Sequence, residues 1–123
     1  MRTAVLATVL ALLGLACRAS PASPPGVPAD AVTRFFAAVD AGDCTGAWTE
    51  LGQTYRDSLT RDGVDCAVLV EEMRKFPLDA VVDTRTDGRN PDAQLVRTRL
   101  RGRAQDVVIR VQADAGQWRI MAL

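Results

Sequence analysis

The side chains able to do chemistry are few, and their spacing narrows what that chemistry could be. Cysteines stand at Cys17, Cys44 and Cys66, Tyr55 is the single tyrosine, and there is no histidine. Without imidazole the chain lacks the commonest general base and a frequent metal ligand. It has no Cys-x-x-Cys pair, no nucleophile motif, no glycine-rich phosphate loop and no calcium-loop pattern. No metal or cofactor is therefore expected, and no residue is assigned a catalytic role. Acid/base chemistry would need a carboxylate beside Tyr55. Glu50 and Asp57 are its neighbours in sequence but fall on polar helix positions.

Arginines are the other reactive feature. Arg97, Arg99 and Arg101 alternate with apolar residues, and Arg110 and Arg119 follow at the same parity within their own segments. On one face of a sheet they could meet phosphates, acidic polysaccharide or an acidic partner. A solvated polar face of an antiparallel sheet produces such rows by alternation alone. Asp79 and Asp83 on a neighbouring strand would partly neutralise them. The net charge of the 123 residues is zero, which gives no global case for nucleic acid.

The elements that must hold these residues follow from periodicity. Met1-Arg2-Thr3 opens a basic start, and Ala4 to Ala16 is an apolar run. That run is too short for a bilayer span, which takes roughly 20 residues, and it fits the core of an export signal. It ends at Gly14-Leu15-Ala16-Cys17, which resembles a bacterial lipoprotein box, with Gly14 where that box usually has leucine. The resemblance implies a signal peptide over 1–16 and lipid attachment at Cys17, with the membrane as a partner through that anchor. Ordinary secretion, with cleavage near Ala19 or Ala22, is the other reading. Residues 17–28 are rich in Pro, Ser and Ala and read as an extended tether. One domain, 29–123, remains.

Either processing route leaves Cys44 and Cys66, and exported thiols tend to pair. Each opens a helical stripe: Cys44, Ala47, Trp48, Leu51 in one and Cys66, Leu69, Val70, Met73 in the other. A disulfide would staple the two helices at their starts; two free buried thiols or a redox pair are the alternatives. Before them, Val32, Phe35, Phe36 and Val39 predict a helix capped by Asp30 and ended by Gly42. Asp43 and Asp65 are positioned to cap the cysteine helices. Tyr55 and Leu59 suggest a short helix over 53–61, and Pro77 stops the last one.

Four strands are predicted at 78–86, 93–101, 105–113 and 117–123, joined by hairpin-length linkers. Alternation puts Leu78, Ala80, Val82, Thr84 and Thr86, then Val96, Thr98 and Leu100, then Val107, Ile109 and Val111, then Trp118 and Ile120 toward the helices. The fold class is therefore α+β: N-terminal helices packed on a curved antiparallel sheet of about four strands.

With those elements in place, Val32-Thr-Arg-Phe-Phe-Ala-Ala-Val-Asp-Ala-Gly-Asp43, the series Cys44, Trp48, Leu51, Arg56, Leu59, Cys66, Leu69, and Gln117-Trp-Arg-Ile120 resemble the small exported NTF2-like proteins of bacteria, the cone fold shared with SnoaL and ketosteroid isomerase. The resemblance implies a Cys44–Cys66 pairing and a pocket between helices and sheet, with Trp48, Tyr55, Thr98 and Trp118 as candidate lining. It also implies pairing of two copies through the back of the sheet. Many members have a short strand between the second and third helices, which is not evident in this sequence. The expected function is a non-catalytic envelope accessory domain, exported or membrane-anchored, binding a small apolar ligand or a protein partner. The rivals are a pocket enzyme of isomerase or cyclase type, with Tyr55 as hydrogen-bond donor, and an interaction module using the arginine face.

Overall fold

The computed structural model describes residues 23–123. The expected signal segment, Cys17 and half of the tether lie outside the described residues. Four helices precede four strands: α1 (Pro28–Asp40), α2 (Cys44–Thr49), α3 (Gln53–Arg61), α4 (Cys66–Met73), β1 (Leu78–Thr86), β2 (Ala93–Leu100), β3 (Val107–Asp114) and β4 (Gln117–Ala122). The strands form one antiparallel meander in the order β1-β2-β3-β4.

α1 lies across the sheet, touching all four strands as well as α2 and α4. Its stripe of Val32, Phe35, Phe36 and Val39 is fully buried against Val96, Ile109, Val111 and Ile120. The Phe35 and Phe36 rings meet edge-on at 5.3 Å. Burying each such side chain stabilises the fold by about 1.5–3 kcal/mol, so this helix anchors the core.

The helix starts earlier than expected. Pro28 is its first residue and Val27 its N-cap, while Asp30 sits in the first turn and accepts from the Val27 amide at 3.5 Å. A proline is favoured at the first helical position, because the amide it lacks would have no partner there. The carboxylate one turn in still favours the positive helix end. The domain thus reaches back into the expected 17–28 tether: Pro24 is buried, and the Gly26 carbonyl accepts from Trp118 Nε1 at 3.3 Å.

α1 ends as expected. Gly42, at φ +67°, donates to Val39, and Asp43 donates to Ala38 at 2.8 Å, closing the two last-turn carbonyls in the Schellman arrangement. Asp43 and Asp65 then cap α2 and α4, each accepting from an amide three residues on at 2.9 Å. Cys44 and Cys66 are joined in a disulfide with Cα atoms 5.4 Å apart, bridging the first residues of α2 and α4. α3 hangs in the closed loop between them.

Between α2 and α3 a single parallel bridge joins Leu51 to Ile120. Gly52 N donates to Ile120 O, and Ile120 N donates to Glu50 O, both at 2.8 Å. The chain touches the sheet there for one residue, which is too short to read from alternation.

The faces of β2, β3 and β4 follow the period-two pattern, with Val96, Thr98, Leu100, Ile109, Val111, Trp118 and Ile120 all buried. β1 departs from it. Register shifts fall between Leu78 and Ala80 and between Val81 and Asp83, each inserting one residue and flipping the parity. Val81 therefore pairs with Thr98 on the helix side, whereas Val82 is exposed and Ala80 stands beside Arg99 on the back. Thr84 and Thr86 keep the helix-side phase, opposite Val96 and Gln94, but are exposed.

Candidate functional site

An apolar cleft opens between α3, α4 and the β2–β3 end of the sheet. Tyr55 projects from α3, Leu69 and Met73 from α4, and Phe76 from the turn that follows. Leu100, Val107 and Ile109 form the sheet wall, with Leu123 and Arg103 completing a volume of about 240 Å³. It is lined by apolar groups with two polar exceptions, the Tyr55 hydroxyl and the Arg103 guanidinium. No Asp or Glu side chain lines it.

The position of Tyr55 is set by both ends of its loop. The disulfide closes residues 44–66. At the start of α3 the Gln53 amide donates to Asp114 Oδ2 at 2.9 Å, so a β3 carboxylate caps a helix 61 residues away in sequence. Gly52 makes that docking feasible. A Cβ there would overlap the Met121 thioether and lie 3.4 Å from Asp114 Oδ2. Half-buried, Tyr55 has its phenol pKa raised by desolvation, against a smaller lowering from its hydrogen bond to the Leu123 backbone.

Arg103 sits in the β2–β3 turn. Its guanidinium carbon lies 4.3 Å over the centre of the Phe76 ring, a cation–π geometry that holds the group at the cleft mouth. It has no ion-pair partner among the described residues.

The four candidate lining residues do not meet in one cavity. Tyr55 alone reaches the cleft. Trp48 lines an open groove of about 450 Å³ beside Cys66, with Thr60, Gly63, Val64 and Asp65. Trp118 lies at the other end of β2, under Ser23 and Pro24. Thr98 is fully buried, and its hydroxyl donates to Val107 O at 2.8 Å, so it packs beneath α1. The helix α1 occupies the middle of the sheet and divides what alternation alone would join into one lining.

The arginines face carboxylates. Arg97 pairs with Asp83 directly across the β1–β2 ladder and lies 3.9 Å from Asp106, which is 3.6 Å from Arg99. Arg101 meets Asp79 at 3.7 Å and Arg110 meets Asp87 at 3.6 Å. Arg119 is 3.6 Å from Glu50, which also holds Arg34 through two hydrogen bonds of 2.9 and 3.2 Å. That bond is the main cause of the raised Arg34 pKa. Asp79 and Asp83 were legible as partners from strand alternation; Asp87, Asp106 and Glu50 were not, because turns and a helix end bring them in.

Among the described residues no group of three or more His, Cys, Asp or Glu could hold a metal ion. No helix among them is long and apolar enough to cross a membrane. Arg103 and Phe76 carried no sequence signal for the cleft, since a turn arginine and a residue beyond a helix end have no periodicity to place them. Comparison with protein-family models, with curated proteins and with solved structures gives no match.

Proposed function

We propose that this chain is a non-catalytic binding domain of NTF2-like type in the bacterial cell envelope. It is exported, anchored by lipid on Cys17, and takes a small apolar ligand in the Tyr55 cleft. The cleft carries the proposal: an apolar recess between helices and sheet with a tyrosine at one wall is a recognised form of small-molecule site. The order of elements, helices first and then an antiparallel meander of four strands, supports the NTF2-like reading. What favours binding over catalysis is the lining, which sets no Asp or Glu side chain beside Tyr55 to share a proton.

Two measurements test this. Octan-1-ol titrated into the purified protein should shift the NMR resonances of Leu100, Val107 and Leu123, and a Val107→Trp variant that fills the cleft should abolish the shifts; unchanged wild-type spectra would overturn the ligand reading. The intact mass of the protein from its native host should begin at Cys17 with added acyl chains. An unmodified start at Ser20 or Ser23 would reject the anchor.

A further inference from the structure

We infer that the cleft selects a short alkyl chain ending in a carboxylate, and that Arg103 is the residue that recognises the anion. This rests on the proposed ligand site and adds the chemical class of its occupant.

Three observations lead there. The walls are Leu69, Met73, Phe76, Leu100, Val107 and Ile109, side chains that reward hydrocarbon and offer an inner polar group no charged partner. At about 30 Å³ for each water-sized portion, the 240 Å³ hold a chain of roughly eight heavy atoms. Arg103 is the only ionisable side chain of the lining apart from Tyr55, and among the described residues it meets no carboxylate within 4.0 Å.

Location and neighbours single out Arg103. Arg97, Arg99, Arg101, Arg110 and Arg119 each have a carboxylate in reach; Arg85 of β1 has none but lies away from the cleft, whereas Arg103 lines it and is placed by an aromatic face. With its carbon 4.3 Å over the Phe76 ring and no carboxylate within 4.0 Å among the described residues, the guanidinium keeps N–H donors for a ligand, and their fork matches a carboxylate. Lysine would not reproduce this geometry. A ligand with its tail against Leu100 and Ile109 and its head at the mouth would place the anion at this fork.

The test compares sodium octanoate with octan-1-ol, which share a tail and differ in charge, by calorimetric titration of the wild type, Arg103→Gln and Arg103→Leu. Leucine keeps an apolar cover on Phe76, so it separates loss of charge from loss of packing; circular dichroism checks that each variant is folded. Octanoate should bind the wild type more tightly than octanol. Both variants should lose about five- to tenfold in octanoate affinity, with octanol unchanged within about twofold, and high salt should weaken octanoate alone. Equal binding of the two ligands with no effect of either variant would overturn the role of Arg103 while leaving an apolar site in place. Failure of the wild type to bind either ligand would remove the site itself, and this inference with it.

Discussion

Tyr55 is the residue whose environment is most open to measurement. It is the single tyrosine, so its phenolate absorbance reports one site. Desolvation raises its folded-state pKa above the ordinary 10.0. A group raised on folding contributes stability that is fully present below its unfolded pKa and is lost as pH rises through the folded value. The phenol should therefore ionise later in the folded chain than in urea, and stability should begin to fall above about pH 10. Coincident ultraviolet titration curves in the two states would contradict the buried wall position. Gly52 tests the docking of the same helix. An added methyl would overlap the Met121 thioether and lie at ordinary contact distance from the Asp114 cap. The thioether is the flexible end of a half-buried side chain and can turn aside, so Gly52→Ala should destabilise the fold by no more than about 1 kcal/mol in urea unfolding. A larger loss would show that Met121 is locked in place. Of the two positions Tyr55 stood out in the sequence, as the single tyrosine and a candidate lining residue, whereas Gly52 carried no turn signal.

Among the elements, α3 depends most on its surroundings. None of its residues is fully buried, so packing alone fixes it weakly. The disulfide and the cap from Asp114 hold it instead. Closing a 22-residue separation adds about 3 kcal/mol in the chain-entropy model. A Cys44→Ser/Cys66→Ser double variant should lose about that much in denaturant midpoint analysis and should bind octan-1-ol more weakly, since Tyr55 rides on the released loop. Full retention of both properties would mean that the cross-link is not what holds the cleft wall. α2 and α4 were legible from stripe and cap, α1 from its stripe although it begins at Pro28 rather than after an Asp30 cap, and α3 from the Tyr55–Leu59 spacing alone. The β1 face was not. Two inserted residues reverse parity twice within one strand, and nothing in Leu78–Thr86 marks a bulge, because Val81 and Val82 are chemically equivalent and only the partner strand chooses between them.

At the scale of the whole molecule, charge is arranged so that five of the arginines on the sheet stand against carboxylates, Arg85 of β1 being the exception. Those carboxylates come from β1, from two turns and from the end of α2. Exposed pairs of this kind add little stability, about 0–1 kcal/mol each, but they cancel the field that an acidic polymer would need. The protein should elute from a heparin column at low salt, and Arg97→Ala/Arg99→Ala should elute at the same position; strong retention lost in the variant would restore the arginine face as a binding surface. By itself the sequence determined the class, the order of elements, the cross-link partners and three of the four strand faces, because those follow from spacing between residues close in the chain. Tertiary structure alone decided which candidate lining residues reach the cleft, where β1 changes face, and that Arg103 stands at the cleft over Phe76. Each of those depends on how far α1 covers the sheet and on where the turns deliver their side chains, and these are distances between parts of the chain that no local pattern encodes.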